Sequence, residues 1–156
     1  MRVQEIMTKE PACCTPTCTA QVAADLMREA GVGFLPVLEK YSRRLAGVVT
    51  DRDLCLLVVA QDRPASQTQV RDCMTADPLC CRSHDDVGTA LELMRGNALR
   101  RLPVVNDEGT LEGVISIDDL IRYGQIEASA IKAALVRICE PHLRGRVVAS
   151  RESSAA

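Results

Sequence analysis

The stretch GVVTDRD, which runs from Gly47 to Asp53, returns as GVISIDD from Gly113 to Asp119. Both copies keep a glycine, a hydroxyl residue and an aspartate in the same register. A shift of 67 positions also aligns residues 3–38 with residues 70–105 without a gap. Such self-similarity indicates a duplicated structural unit. One copy alone is too small to bury the face of its sheet, so two copies are expected to pack together.

Each copy predicts a strand, a helix, two strands and a second helix, which places the fold in the α/β (α+β) class. The first helix has apolar residues at i, i+3, i+4 and i+7, namely Ala20, Ala23, Ala24 and Met27 in one copy and Val87, Ala90, Leu91 and Met94 in the other. Thr19 and Asp86 precede these helices as N-cap residues. The middle strands are FLPVL and LAGVV, repeated as RLPVV and LEGVI.

The chain therefore divides into a first repeat at 1–61, a linker at 62–69, a second repeat at 70–124, and a C-terminal helix and flexible tail at 125–156. The two repeats are expected to pack sheet to sheet about a pseudo-twofold axis.

The helical stretch from Ile126 to Cys139 lies outside the repeat. It carries Ile131, Leu135 and Ile138 on one side, and Pro141 and Gly145 are expected to end it before a frayed tail, ASRESSAA. This apolar side either covers the core or contacts a neighbouring chain, and we favour the neighbouring chain.

Composition argues against several classes of partner. The net charge is −2 and aromatic residues make up 2% of the chain, so neither a basic patch nor stacking platforms for nucleic acid are expected. The sequence has no signal-peptide core and no run of transmembrane length. We expect a cytoplasmic protein that binds neither nucleic acid nor membrane.

Eight cysteines accompany two histidines, His84 and His142, without the usual spacing of a zinc site. In a reducing compartment cysteines are mostly small buried residues. The adjacent pairs at 13/14 and 80/81 keep a thiol redox switch open as an alternative.

The repeated turn has two interpretations. Thr50-x-x-Asp53 and Ser116-x-x-Asp119 have the form of a helix capping box, which needs no ligand. Capping does not require the glycine three residues before the hydroxyl residue, however. A glycine there lets another backbone or a ligand approach closely. The residues alone leave both interpretations open.

The duplicated IMT…P segment, the LPVV strand and the G-h-h-[ST]-x-x-D turn (h, hydrophobic) resemble CBS domains, which occur as tandem pairs called Bateman modules. The resemblance covers roughly residues 1–124. It implies a regulatory module that binds AMP, ADP, ATP, or sometimes NAD or S-adenosylmethionine, in two clefts between the repeats. It also implies a homodimer of four repeats.

The resemblance further implies a role for individual residues. The ribose would be held by Thr50 and Asp53 in one cleft and by Ser116 and Asp119 in the other. The phosphate would meet Arg100, with Arg101 beside it, in the Thr50 cleft, and Arg52 in the Ser116 cleft. The adenine would be lined by Met7, Ala12 and Gly33 in one cleft and by Met74 and Leu79 in the other.

Catalysis is not expected. Phosphate-binding loops of the P-loop and dinucleotide type are missing. Ser83, His84 and Asp85 are consecutive, whereas the members of a catalytic triad converge from separate segments. We expect a ligand sensor that needs no catalytic cofactor and acts on a separate, unidentified protein. The alternatives are a dimerising scaffold without ligand, or a thiol redox sensor.

Overall fold

The computed structural model describes residues 1–140, and its helices and strands follow the duplication. The helices are α1 (Val3–Ile6), α2 (Ala20–Ala30), α3 (Asp51–Leu57), α4 (Val87–Asn97), α5 (Ile117–Tyr123) and α6 (Ala128–Cys139). The strands are β1 (Thr8–Lys9), β2 (Phe34–Leu38), β3 (Leu45–Thr50), β4 (Thr75–Ala76), β5 (Cys81–Arg82), β6 (Arg101–Val105) and β7 (Leu111–Ser116). Short 3-10 helices cover Val59–Gln61 and Val70–Asp72. Pro141, His142, Gly145 and the ASRESSAA tail lie outside the described residues.

The strands form two sheets, with the orders β1-β7-β6-β5 and β2-β3-β4. The predicted FLPVL and RLPVV segments coincide with β2 and β6, and each pairs with the following strand in an antiparallel hairpin. This mixed arrangement of helices and strands in two repeats confirms the predicted fold class.

The two-residue strands β1 and β4 each cross into the sheet of the other repeat. In β1, Thr8 lies opposite Val114 and Lys9 opposite Gly113 of β7. In β4, Ala76 lies opposite Gly47 of β3. The first strand of each repeat therefore completes a hairpin that belongs to the other repeat, which the sequence pattern did not predict.

This exchange of strands explains the glycine of the repeated turn. A Cβ atom on Gly113 would lie 2.7 Å from the carbonyl oxygen of Thr8, and a Cβ on Gly47 would lie 2.7 Å from the carbonyl oxygen of Thr75. Both positions therefore require glycine because a backbone passes too close for a side chain. The sequence left open whether another backbone or a ligand approaches this glycine, and the structure shows another backbone.

A third cluster of apolar residues lies between the two sheets. Leu38 comes from the first repeat, Val105 and Leu111 come from the second, and the partly buried Cys13 and Cys80 pack against them. The backbone joins the repeats at the same place, since the Leu45 N–H donates to the carbonyl of Gly109 at 3.1 Å. The larger cores lie beneath the helices of each repeat.

Helices α2 and α4 begin at the predicted N-cap residues. The Thr19 hydroxyl accepts a hydrogen bond from the Val22 N–H, and the Asp86 carboxylate accepts one from the Gly88 N–H. The apolar stripe is confirmed in α4, whose four predicted residues are all buried. In α2 the prediction for Ala24 is wrong, because Ala24 is exposed. The difference has a structural cause, since α4 is covered on a second side by α6.

Helix α6 covers the core of the second repeat. Ala134 and Ile138 are buried among the residues of that core, and Ile131 and Leu135 are partly buried against it. The apolar side of the helix is therefore used within the chain. Our preference for a contact with a neighbouring chain is wrong for this side, because the core residues of α4 already fill it.

We predict that Gly113→Ala lowers the free energy of unfolding by about 1–3 kcal/mol, because the added methyl group overpacks a backbone crossing. Urea unfolding monitored by circular dichroism measures this change. Gly96→Ala is the matched control, since Gly96 is exposed in α4 and a Cβ there meets nothing within 4 Å. The control should gain about 0.5–1 kcal/mol from helix propensity. A Gly113→Ala protein as stable as the wild type would contradict the constraint.

Candidate functional site

Both repeated turns form complete capping boxes. The Ser116 hydroxyl accepts a hydrogen bond from the Asp119 N–H at 3.2 Å, and it donates to Asp119 Oδ2 at 2.6 Å. The same Oδ2 accepts from the Ser116 N–H at 2.9 Å. Thr50 and Asp53 repeat this pattern at 3.1, 2.7 and 2.9 Å. The aspartates therefore help to start α3 and α5 without any ligand.

Capping occupies only one oxygen of each carboxylate. Within residues 1–140, Oδ1 of Asp53 and Oδ1 of Asp119 have no hydrogen-bond partner. Each can still accept hydrogen bonds from the hydroxyl groups of a ligand. The two interpretations of the repeated turn are therefore compatible, because they use different oxygens.

Ser116 and Asp119 face the first repeat across a cleft of about 470 Å³, which lies in the usual range for a small-molecule site. The two repeats share its walls, and its lining consists of Thr8, Glu10, Pro11, Ala12, Ala30, Gly31, Val32, Phe34, Arg101, Val114, Ser116, Asp118, Asp119 and Arg122. We call this space the Ser116 cleft. Its walls combine short apolar side chains with charged groups of both signs.

The residues expected to line adenine lie in different places. Ala12 lines the Ser116 cleft. Gly33 does not, because it lies beneath the carboxylate of Asp51, whose Oδ2 would be 2.5 Å from a Cβ at this position. Leu79 has 38% of its surface exposed. A contact of Ala12 or Leu79 with adenine stays a prediction.

Met7 and Met74 lie at the strand crossings. The sulfur of Met7 would be 2.8 Å from a Cβ on Gly113, and that of Met74 would be 2.9 Å from a Cβ on Gly47. Met7 is absent from the lining of the Ser116 cleft. Each thioether fills the space that a side chain on the glycine would need, so its role is first of all packing.

The structure corrects the placement of Arg101. We expected it beside Arg100 in the Thr50 cleft, but it lines the Ser116 cleft. The reason is the register of the second hairpin, in which Arg101 lies opposite Ser116.

Arg52 is the counterpart of Asp118 in the repeat. Asp118 lines the Ser116 cleft, whereas Arg52 is absent from its lining. Our assignment of Arg52 to the Ser116 cleft is therefore corrected. The guanidinium group of Arg100 donates to the sulfur of Cys139 at 3.5 Å. Its phosphate role stays a prediction.

Arg122 is one of the lining residues that sequence reasoning missed. It lies on α5 three residues after Asp119, a spacing that brings two side chains to the same face of a helix. This spacing was the available signal. The matching position of the first repeat holds Leu56, so comparison of the repeats concealed it.

The eight cysteines differ in exposure. Cys14, Cys73 and Cys81 are buried, Cys13, Cys18 and Cys80 are partly buried, and Cys55 and Cys139 are exposed. Burial raises the pKa of the thiols of Cys14 and Cys81 to about 12. It also raises the pKa of the Cys13 and Cys80 thiols. Across residues 1–140, no group of three or more His, Cys, Asp or Glu side chains could hold a metal ion.

We predict that the thiols of Cys55 and Cys139 react first with a disulfide reagent at pH 8 in the native protein. The thiolate attacks a sulfur atom of the reagent and displaces its other half as a thiolate, and Cys14 and Cys81 stay protonated at this pH because their pKa is raised. Stopped-flow thiol titration should show two fast thiols in the native protein and eight in urea. Fast modification of the 13/14 or 80/81 pair would instead favour the redox sensor.

Known proteins resemble this chain along most of its length. The CBS domain matches residues 3–60 and 70–125. The CBS domain-containing protein YhcV of Bacillus subtilis is 33% identical over 141 residues, which span 90% of this chain and 97% of YhcV.

Within the described residues, no helix is both long enough and apolar enough to cross a membrane.

Solved structures agree with the sequence match. CBSX2 in complex with AMP has a TM-score of 0.69 and 29% identity, covering 78% of this chain and 93% of CBSX2. The hexameric CBS-CP12 protein from bloom-forming cyanobacteria has a TM-score of 0.71 and 26% identity, covering 80% of this chain and 72% of that protein. Two matched domains, in a fold shared with solved CBS proteins, place this chain in the CBS domain family, as a tandem pair.

Proposed function

We propose that this protein is a regulatory module without catalytic activity that binds an adenosine-containing ligand between its two CBS repeats. The observation that carries the proposal is the Ser116 cleft, in which the turn from Ser116 to Asp119 faces Pro11, Ala12 and Val32 of the first repeat. The likeness to CBSX2, which was solved with AMP, supports a nucleotide as ligand. The candidates are AMP, ADP, ATP, NAD and S-adenosylmethionine.

The residues of the cleft suit such a ligand. A ribose hydroxyl group would donate to Oδ1 of Asp119, and a hydrogen bond to a charged group contributes about 1.5–3 kcal/mol. The flat adenine ring would pack between Pro11, Ala12 and Val32, whose short side chains leave room for it. Thr50 and Asp53 would serve a second ligand in the same way, because their capping box leaves Oδ1 equally unused.

Regulation would follow from the shared walls of the cleft. A ligand that touches both repeats favours the arrangement in which both walls meet it, and it acts only through different affinities for two arrangements. The two repeats would pass this change to a separate protein. We take their bounds as 1–61 and 70–124, with a linker at 62–69. A homodimer in the cytoplasm is the setting we propose.

One observation favours a scaffold as the second candidate. Both capping boxes are complete without a ligand, so the repeated aspartates would be useful in a protein that only dimerises. A thiol redox sensor has less support, because burial raises the pKa of the Cys13 and Cys80 thiols and a protonated thiol reacts slowly.

Thermal melts with each of the five ligands at millimolar concentration test the proposal. A ligand at 100 times its Kd adds about 2.7 kcal/mol, which for a chain of this size raises Tm by about 5–10 °C. We expect such a shift in the wild-type protein. The protein has no Trp, so a dye or circular dichroism should report unfolding.

Asp119→Asn and Asp53→Asn separate binding from capping. The amide oxygen of asparagine can still accept from the Ser116 or Thr50 N–H, whereas its NH₂ group cannot accept from ribose. Each variant should keep a Tm near that of the wild-type protein without ligand and lose the ligand shift of its own cleft. A flat response of the wild-type protein to all five ligands would leave the scaffold as the function.

A further inference from the structure

Five charged side chains line the Ser116 cleft. Glu10, Asp118 and Asp119 are acidic, and Arg101 and Arg122 are basic. Three carboxylates against two guanidinium groups leave the cleft with a net charge of −1. A cleft that holds nucleotides of any length would be expected to carry an excess of positive charge.

Four of these groups are not paired within the protein. Within residues 1–140, no hydrogen bond or ion pair involves the side chains of Glu10, Arg101, Asp118 or Arg122. By contrast, Arg28 and Arg95 form ion pairs with an acidic residue three positions earlier on their helices. The charges of the cleft are therefore available to a ligand.

The positions of the two arginines suit a single phosphate group. Arg122 lies about one helical turn beyond Asp119 on α5, and Arg101 lies opposite Ser116 on the neighbouring strand. Both line the same cleft as Asp119, whose Oδ1 we assign to the ribose. A guanidinium group binds phosphate through two parallel hydrogen bonds, so two of them balance the charge of one phosphate dianion.

We propose that the Ser116 cleft selects a nucleoside monophosphate over the corresponding triphosphate. Arg101 and Arg122 bind the one phosphate, while the carboxylates of Glu10 and Asp118 repel the further phosphates of a longer chain. Specificity of this kind rests on a repulsive element as well as an attractive one. The inference depends on the proposed function, because it assumes that the ligand is an adenosine derivative.

Three members of this charge set have no like-charged counterpart in the other repeat. The counterparts of Arg101 and Arg122 in the first repeat are Phe34 and Leu56, and the counterpart of Asp118 is Arg52. The duplication therefore did not supply these three charges, and we expect the other cleft not to share the selectivity.

Calorimetric titration of the Asp53→Asn protein with adenosine, AMP and ATP tests the inference, since this background silences the Thr50 cleft. In low salt with EDTA, we expect AMP to bind at least tenfold more tightly than ATP. Arg122→Leu, which installs the residue of the first repeat, should weaken AMP about tenfold, as expected for one charged hydrogen bond. It should leave the Kd for adenosine within about twofold. Arg95→Leu, on the exposed face of α4, is the matched control and should change neither value.

The acidic residues have their own test. Glu10→Gln combined with Asp118→Asn should bring the affinity for ATP to within about threefold of that for AMP, because the repulsion is removed. Metal-free ATP that binds the Asp53→Asn protein as tightly as AMP would overturn the inference and leave the proposed function standing. The inference would also be overturned if ATP with Mg²⁺ bound more tightly than AMP. The same holds if AMP bound the wild-type protein but not the Asp53→Asn protein. If none of the three ligands binds the wild type, the inference fails; if none of the five ligands shifts its Tm either, the proposed function itself fails.

Discussion

The close approach of two backbones at Gly113 and Gly47 is the constraint on which the rest of the structure depends. It lets β1 and β4 leave their own repeats and complete the hairpins of the other. Thr8 shows the consequence most directly, because it pairs with Val114 in β7 and also lines the Ser116 cleft. The segment that follows it, from Glu10 to Ala12, reaches the turn of the second repeat only because β1 crosses. The cleft is thus a product of the strand exchange.

Under the proposed function, Asp119 serves folding and ligand binding with a single side chain. Oδ2 closes the capping box of α5, which holds the carboxylate in place and leaves Oδ1 without a hydrogen-bond partner among residues 1–140. A ligand that uses Oδ1 therefore meets an oxygen whose position is already set. The Asp119 side chain then loses little conformational entropy on binding. The short side chain of aspartate suits this double use, although glutamate or glutamine is the usual partner at this position of a capping box.

The fold could be predicted from sequence where the signals are local and repeated. The hairpins and the caps at Thr19 and Asp86 followed from periodicity and residue type. The crossing strands could not be predicted, because each has two residues and pairs with a distant partner. The exposure of Ala24 was missed for a related reason. It depends on which helix has a second neighbour, and within residues 1–140 helix α6 packs on α4 rather than on α2.

The site was partly predictable. The aspartates stood out because both repeats keep them, and that same signal failed for Arg101 and Arg122. Their counterparts Phe34 and Leu56 are apolar, so the duplication gave no indication that this surface carries charge. Arg101 was assigned to the wrong cleft because strand register, which sets the facing side chain, depends on pairing between strands.

The methionines at the crossings give the protein a point of chemical sensitivity apart from its cysteines. The sulfur atoms of Met7 and Met74 lie against the two glycines, and Met7 also borders a shallow surface pocket formed with Met1, Ile6 and Tyr123. Oxidation to a sulfoxide adds a polar oxygen to an apolar side chain. At Met7 that oxygen would have to fit where β1 meets β7 most closely. An oxidant would therefore act on the crossing of β1 and β7 through a thioether rather than through a thiol.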